Sequence, residues 1–350
     1  MLNPFSMRVS ALWLCSLLLP CPHAAGQHTE RGAAAGGIDH TNLAVVINTA
    51  DPLSVAAGEY YAKQRRIPPP HVIRVKLPVG SSELAVEEFT RLKADVDTLT
   101  SPEVQAYLLT WAAPYRVGCM SITSAFAFGY DPSFCANGCR PTRLSPYFNS
   151  ASRFPASEFQ MRPTMMLAGL SFPQIKALVD RGVQSDGTYP RGTAYLLSTS
   201  DKARDARGVL FSKVESVAAG LINIEIRKED SLIGRADVLF YFTGVASVSG
   251  LETLHFIPGA IADHLTSFGG QLTDSGQMSA LRWLEAGATG SYGAVVEPCN
   301  FPQKFPHPAV VIGRYLRGET LIESYWKSVA WPGQGVFIGE PLAAPYRLRR

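Results

Sequence analysis

The segment from Asp263 to Gly270 holds the densest group of chemically capable side chains in the sequence. Within five residues it places a carboxylate, an imidazole and two hydroxyls, and two glycines follow. A histidine with a carboxylate can act as general base for a hydroxyl nucleophile. The pattern predicts a catalytic centre of Asp263, His264 and Ser267, beside which Thr266 binds a ligand. Because adjacent strand residues point to opposite faces, a loop braced by polar side chains is the alternative.

Further candidate residues follow other apolar runs. In a helix Asp201 and Arg204 would share a face, which indicates either an anion-binding pair or a solvated ion pair. Tyr115 and Arg116 are predicted either to line a pocket or to cap a sheet. Glu297 completes this predicted set of binding residues.

The N-terminal 26 residues predict a secretory signal peptide. Arg8 precedes an apolar run over residues 9–19, and small residues end at Gly26. Cleavage there leaves 324 of the 350 residues and lowers the formal net charge from +3 to +2. Residues 27–41 are then a flexible leader, and the protein is exported to the periplasm or the extracellular space. An uncleaved membrane anchor is the alternative. No later run is long enough to span a membrane, so no membrane span is expected after cleavage.

Composition narrows the class of protein further. Charged residues make up 17% of the chain and hydrophobic residues 46%, which favours a large buried core over disorder. The near-neutral charge argues against a nucleic-acid partner. The phosphate-loop, zinc-protease and nucleophile-elbow motifs are absent from the sequence, so no cofactor and no metal is predicted.

In an oxidising compartment, the cysteines that follow the signal peptide predict disulfides. Cys135 and Cys139 lie four residues apart in a polar loop, and we expect a local bond between them; free thiols and a metal site are the alternatives. Cys299 is either a half-cystine, a buried thiol, or a thiolate nucleophile near a histidine.

Strands and helices alternate along most of the chain. The continuous apolar run Leu43–Asn48 is typical of a strand buried on both faces. The alternation predicts an α/β fold with a mostly parallel sheet and helices on both faces, interrupted by an irregular insertion around residues 118–162. Residues 42–346 would form one domain, or two subdomains at 42–160 and 161–346. Ligands of such sheets bind at the carboxyl ends of the strands.

The order of several short motifs resembles an uncharacterised family of exported bacterial proteins. That family occurs in species that carry the exosortase system, which sorts proteins with a PEP-type C-terminal signal. The resemblance covers roughly residues 41–346, and Glu340 departs from the aspartate expected in its Gly-Asp-Pro-Leu ending. The matching motifs are Tyr60-Tyr61-Ala62, Arg66-Ile67-Pro68, Pro114-Tyr115-Arg116, Ala262 to Gly270, Gly287-Ala288-Thr289-Gly290, Glu297-Pro298 and Gly339-Glu340-Pro341-Leu342.

The late elements also resemble, more distantly, the gingipain-type cysteine peptidases, which have a caspase-like α/β fold. Those peptidases use a His-Gly after one strand and a cysteine after the next. Here Thr243-Gly244 stands in the first place, and no cysteine lies between Cys139 and Cys299. The resemblance therefore implies a peptidase-like scaffold without its dyad.

Two functions remain open. One is an accessory protein of exosortase-type sorting or matrix assembly, which binds a polypeptide or a glycan of the envelope. The other is an envelope hydrolase or transferase that uses Asp263, His264 and Ser267. The missing peptidase dyad favours the accessory protein, and the enzyme is the alternative. Oligomeric state is not indicated by the sequence.

Overall fold

The computed structural model of the chain describes residues 37–136 and 138–348. The predicted signal peptide and most of the predicted leader lie outside them. The described residues belong to one compact unit. No helix in the described ranges is both long and apolar enough to cross a membrane.

The described residues form thirteen strands and nine α-helices. The strands are β1 Leu43–Asn48, β2 Val72–Val75, β3 Glu83–Leu84, β4 Ala106–Leu109, β5 Arg116–Val117, β6 Met120–Ser121, β7 Thr164–Met166, β8 Thr193–Ser198, β9 Asn223–Lys228, β10 Val238–Thr243, β11 Phe256–His264, β12 Gly290–Ala294 and β13 Gly335–Gly339. The helices are α1 Pro52–Arg65, α2 Val86–Leu99, α3 Ile122–Phe128, α4 Pro155–Phe159, α5 Phe172–Ser185, α6 Glu215–Ala218, α7 Leu281–Ala286, α8 Pro308–Leu316 and α9 Leu321–Trp326.

Ten of these strands form one sheet, in the order β2-β1-β4-β7-β13-β12-β11-β10-β8-β9. Strands β2, β1, β4 and β7 form one group of neighbours that pair in parallel. Strands β12, β11, β10, β8 and β9 form a second parallel group. Strand β13 pairs with β12 in the antiparallel direction. A small second sheet contains β3, β5 and β6. The predicted mostly parallel α/β fold is confirmed.

Helices cover both faces of the large sheet, as consecutive residues of β10 demonstrate. Phe240 packs against Tyr315 of α8, whereas Tyr241 packs against Trp283 of α7. Because neighbouring strand residues point to opposite faces, α7 and α8 lie on opposite sides of the sheet. Strand β1 is buried along its whole length, as the apolar run predicts.

The predicted irregular insertion contains short elements. Helix α3 begins at Ile122, where the Ser121 hydroxyl accepts a hydrogen bond from the Ser124 backbone N–H and caps the helix. Helix α4 follows at Pro155–Phe159, and a 3₁₀ turn lies between the two helices. The insertion covers the sheet near β4 and β13, which α3 contacts.

The predicted local bond between Cys135 and Cys139 is wrong. Cys119 bonds to Cys135, and Cys139 bonds to Cys299, 160 residues further along the chain. The buried ring of Phe134 stacks on Phe128 at 4.4 Å between ring centroids and fixes the loop on the α3 side. Cys135 therefore faces Cys119, and Cys139 is left to meet Cys299. Sequence spacing carries no signal for a partner so distant.

Candidate functional site

The end of β11 places the two central residues of the predicted catalytic centre on opposite faces of the sheet. Asp263 pairs in register with Phe242 of β10, and His264 pairs with Thr243. Asp263 contacts the side that carries the 3₁₀ segment Asp205–Val214, whereas His264 contacts α7. The strand extends as far as His264, so the two side chains point apart.

Asp263 forms a buried ion pair with Arg207. Arg207 Nη1 lies 2.6 Å from Asp263 Oδ1, and both side chains are almost fully buried. The guanidinium also donates to the Thr243 carbonyl at 3.0 Å and lies over the Phe242 ring. Burial raises the pKa of Asp263 to about 6, and the positive charge of Arg207 limits that rise. Arg207 was not among the predicted site residues, because nothing in their spacing connects it to Asp263.

The imidazole of His264 is enclosed and uses both of its nitrogens. Trp283 Nε1 donates to Nδ1 at 2.9 Å, so Nε2 carries the proton and donates to the Met278 carbonyl at 3.1 Å. Burial and, to a smaller extent, the positive charge of Arg207 together lower the pKa of His264 to about 3. The ring is therefore neutral at ordinary pH, and neither nitrogen is left to take a proton from Ser267.

A second polar cluster lies at the surface beyond β8 and β11. Arg204 donates from Nη1 to Asp201 at 2.7 Å and from Nε to the Thr266 hydroxyl at 3.2 Å. The Thr266 hydroxyl in turn donates to Gln277 at 2.8 Å. A Cβ at Gly244 would collide with the Arg204 carbonyl, so only glycine allows β10 to end so close to this turn. The structure thus brings three predicted binding residues together, of which Asp201 and Arg204 are partly exposed and Thr266 is buried.

The remaining predicted binding residues lie apart from that cluster. Tyr115, which follows β4, donates from its hydroxyl to Asp274 in the loop after β11. Arg116 pairs with Glu83 in the small sheet at 2.5 Å. Glu297 is exposed and accepts the backbone N–H two residues further on at 2.7 Å. The Tyr115 contact joins the segments that follow β4 and β11.

The usual nucleophiles and metal ligands are not assembled in the described residues. All four cysteines after the predicted signal peptide are in disulfides. In the described ranges no three His, Cys, Asp or Glu side chains are grouped to hold a metal ion. Two surface cavities of about 660 and 600 Å³ lie elsewhere, and none of the predicted site residues lines either of them.

Comparison with solved structures finds a shared fold. The chain is similar to a structure titled as a protease, with a TM-score of 0.50, 9% identity, and coverage of 89% of this chain and 80% of the other. The chain is also similar to a complex of the pro- and mature domains of RgpB from Porphyromonas gingivalis, with a TM-score of 0.47, 10% identity, and coverage of 88% of this chain and 80% of the other. Neither a protein family nor a curated protein matches the sequence. The first likeness shows the fold alone, and it agrees with the peptidase-type scaffold expected from the sequence.

Proposed function

We propose that this chain is an exported binding protein of the cell envelope, built on a peptidase-like scaffold that does not carry out peptidase chemistry. The supporting observation is that both nitrogens of His264 are engaged, by Trp283 and by the Met278 carbonyl. A general base needs a free lone pair directed at the nucleophile. The four cysteines are in disulfides, so they do not supply a thiolate nucleophile either.

The binding surface in this proposal is formed by Asp201 and Arg204, and the buried Thr266 hydroxyl positions Arg204 beneath it. Two of the guanidinium nitrogens of Arg204 are held by these partners, and among the described residues Nη2 has no hydrogen-bond acceptor. A positioned guanidinium can donate to a carboxylate, a carbonyl or a sugar hydroxyl. The partly exposed position of Asp201 and Arg204 at the surface suits an extended ligand that lies across the strand ends, such as a polypeptide segment of the envelope.

The cellular role follows from the sequence resemblance. We propose that the protein is accessory to exosortase-type sorting or to matrix assembly, and that it holds a polypeptide there; a glycan is the other ligand to test. The disulfides support an oxidising compartment outside the cytoplasm.

Binding of a synthetic peptide that ends in a PEP-type signal tests this proposal by calorimetry. We expect Arg204→Ala to weaken peptide binding at least about tenfold. The matched control is Arg282→Ala, which removes an exposed arginine from an i, i+3 ion pair with Glu285 and should leave the Kd unchanged. Binding of envelope polysaccharide fragments in place of the peptide would make the ligand a glycan. Equal peptide affinity in Arg204→Ala and wild type would refute the assigned surface.

The alternative, a hydrolase or transferase centred on Asp263, His264 and Ser267, is tested by incubation of the same peptide and fragments with the protein. It requires His264 to leave both hydrogen-bond partners and to turn towards Ser267. New fragments that appear with wild type and disappear with Ser267→Ala would replace the binding proposal with the enzyme.

A further inference from the structure

Strand β9 forms one outer edge of the ten-stranded sheet. It pairs with β8 on one side, and among the described strands none pairs with its other side. The Asn223 N–H donates to the Gly192 carbonyl and the Glu229 N–H to the Ser198 carbonyl, both at 3.1 Å. In a strand this pattern repeats every two residues, so the odd-numbered residues turn their backbone groups towards β8. The backbone groups of Ile224, Ile226 and Lys228 therefore point outwards.

The side chains of β9 form a symmetric pattern around Ile226. Glu225 and Arg227 flank it on one face of the strand, and the isoleucine on the other face is 43% exposed. Glu225 and Arg227 are themselves partly exposed, and within the described ranges their charged partners are each other and Glu229 of the same edge segment. A free edge strand with an exposed apolar centre is a site for pairing with another strand.

We propose that two copies of this chain pair through β9, as antiparallel strands with Ile226 opposite Ile226 of the second copy. In that register Glu225 of each copy lies opposite Arg227 of the other, on the same face. Ile224 lies opposite Lys228, whose aliphatic stem can cover it. The outward backbone groups at positions 224, 226 and 228 complete the ladder. The product is a two-fold dimer with one continuous sheet of twenty strands.

Charge selects this register over its neighbours. Antiparallel pairing centred on Glu225 would place two glutamates opposite each other, and pairing centred on Arg227 would place two arginines opposite each other. Like charges directly opposite each other destabilise a strand pair. Of these three registers, only pairing about Ile226 sets both Glu225 and Arg227 against opposite charges. An edge that serves merely to repel other strands would carry charges of one sign.

Charge reversal tests the pairing, with sedimentation velocity of the purified protein over a concentration series up to about 100 µM, well above the Kd of a modest interface. Wild type is expected to form dimers. Glu225→Arg and Arg227→Glu, each alone, should weaken dimerisation about tenfold, because each places like charges opposite each other twice. The double variant restores opposite charges and should recover the dimer. Arg74→Glu reverses an exposed arginine on β2, the opposite sheet edge, and is the matched control.

Ile226→Pro is a second, independent variant. Its missing N–H points away from β8, so the fold should persist, as circular dichroism can verify, while the dimer ladder loses two hydrogen bonds. Loss of the dimer in this variant supports the proposal. A monomeric wild type over the whole series would overturn it, as would a dimer that all four β9 variants leave unchanged. This inference is independent of the proposed function, whose surface lies beyond β8 and β11.

Discussion

Asp263 and His264 are neighbours in sequence, yet the protein compensates their burial by different means. Asp263 meets a full positive charge, the guanidinium of Arg207 at 2.6 Å. His264 meets only dipoles, the Trp283 N–H and the Met278 carbonyl. Burial moves both pKa values towards the neutral form, to about 6 for Asp263 and to about 3 for His264. One face of β11 therefore holds a charge that depends on a single partner, and the other holds a neutral network.

The largest expected effect comes from removal of that single partner. Arg207→Leu leaves the Asp263 carboxylate buried without a cation, and we expect a loss of about 3–5 kcal/mol in the free energy of unfolding. Chemical denaturation at pH 8 measures it. Without the guanidinium the pKa of Asp263 rises further above 6, so the folded state binds a proton that the unfolded state lacks. The loss should therefore shrink as the pH falls towards 4.

The double variant Arg207→Leu/Asp263→Leu is the control for the buried charge. Apolar side chains of similar volume often replace a buried ion pair at little cost, so the double variant should be more stable at pH 8 than Arg207→Leu alone. A double variant that is no more stable than the single one would mean that Arg207→Leu destabilises the protein by removing the contacts of Arg207 with Phe242 and the Thr243 carbonyl, rather than by leaving Asp263 unpaired.

The sequence predicts where the strands lie better than it predicts which residues contact their side chains. The apolar runs locate most strands to within a few residues, because burial on both faces leaves a continuous pattern. Opposite orientations of Asp263 and His264 also follow from strand geometry. Their partners do not follow, since Arg207 and Trp283 come from elements far along the chain. Long-range pairings such as Cys139–Cys299 depend on tertiary packing, which local spacing does not encode.

A smaller effect is expected on the other face of β11. His264→Phe keeps an aromatic ring but leaves the Trp283 N–H and the Met278 carbonyl without partners, at a cost of about 1–3 kcal/mol. In wild type, the unfolded chain binds a proton at His264 as the pH falls from 6.5 towards 3, and the folded chain does not. Because of His264, the free energy of unfolding therefore decreases as the pH falls, by up to about 1.4 kcal/mol per pH unit.

Unfolding titrations of wild type and His264→Phe over pH 3–7 measure that slope. The difference in stability between the two proteins should narrow as the pH falls below 6.5. The control is His40→Phe, which replaces a histidine at the surface; the same narrowing in that variant would mean that the slope does not come from the burial of His264. A stability difference independent of pH for His264→Phe would contradict a neutral, enclosed imidazole.

The smallest effect is expected at the surface pair of Asp201 and Arg204, where water also solvates and screens the two charges. The Asp201 and Arg204 side chains remain 30% and 27% exposed although they lie 2.7 Å apart. Asp201→Asn should therefore cost only about 0.2–1 kcal/mol, and most of that loss should vanish in about 1 M salt. Glu285→Gln, in another i, i+3 pair at 2.5 Å, is the matched control and should behave alike.

A loss as large as that of Arg207→Leu would make Asp201 a structural carboxylate like Asp263. A small loss would mean that the Asp201–Arg204 pair can be varied for ligand binding without loss of the fold, which the buried Asp263–Arg207 pair does not permit.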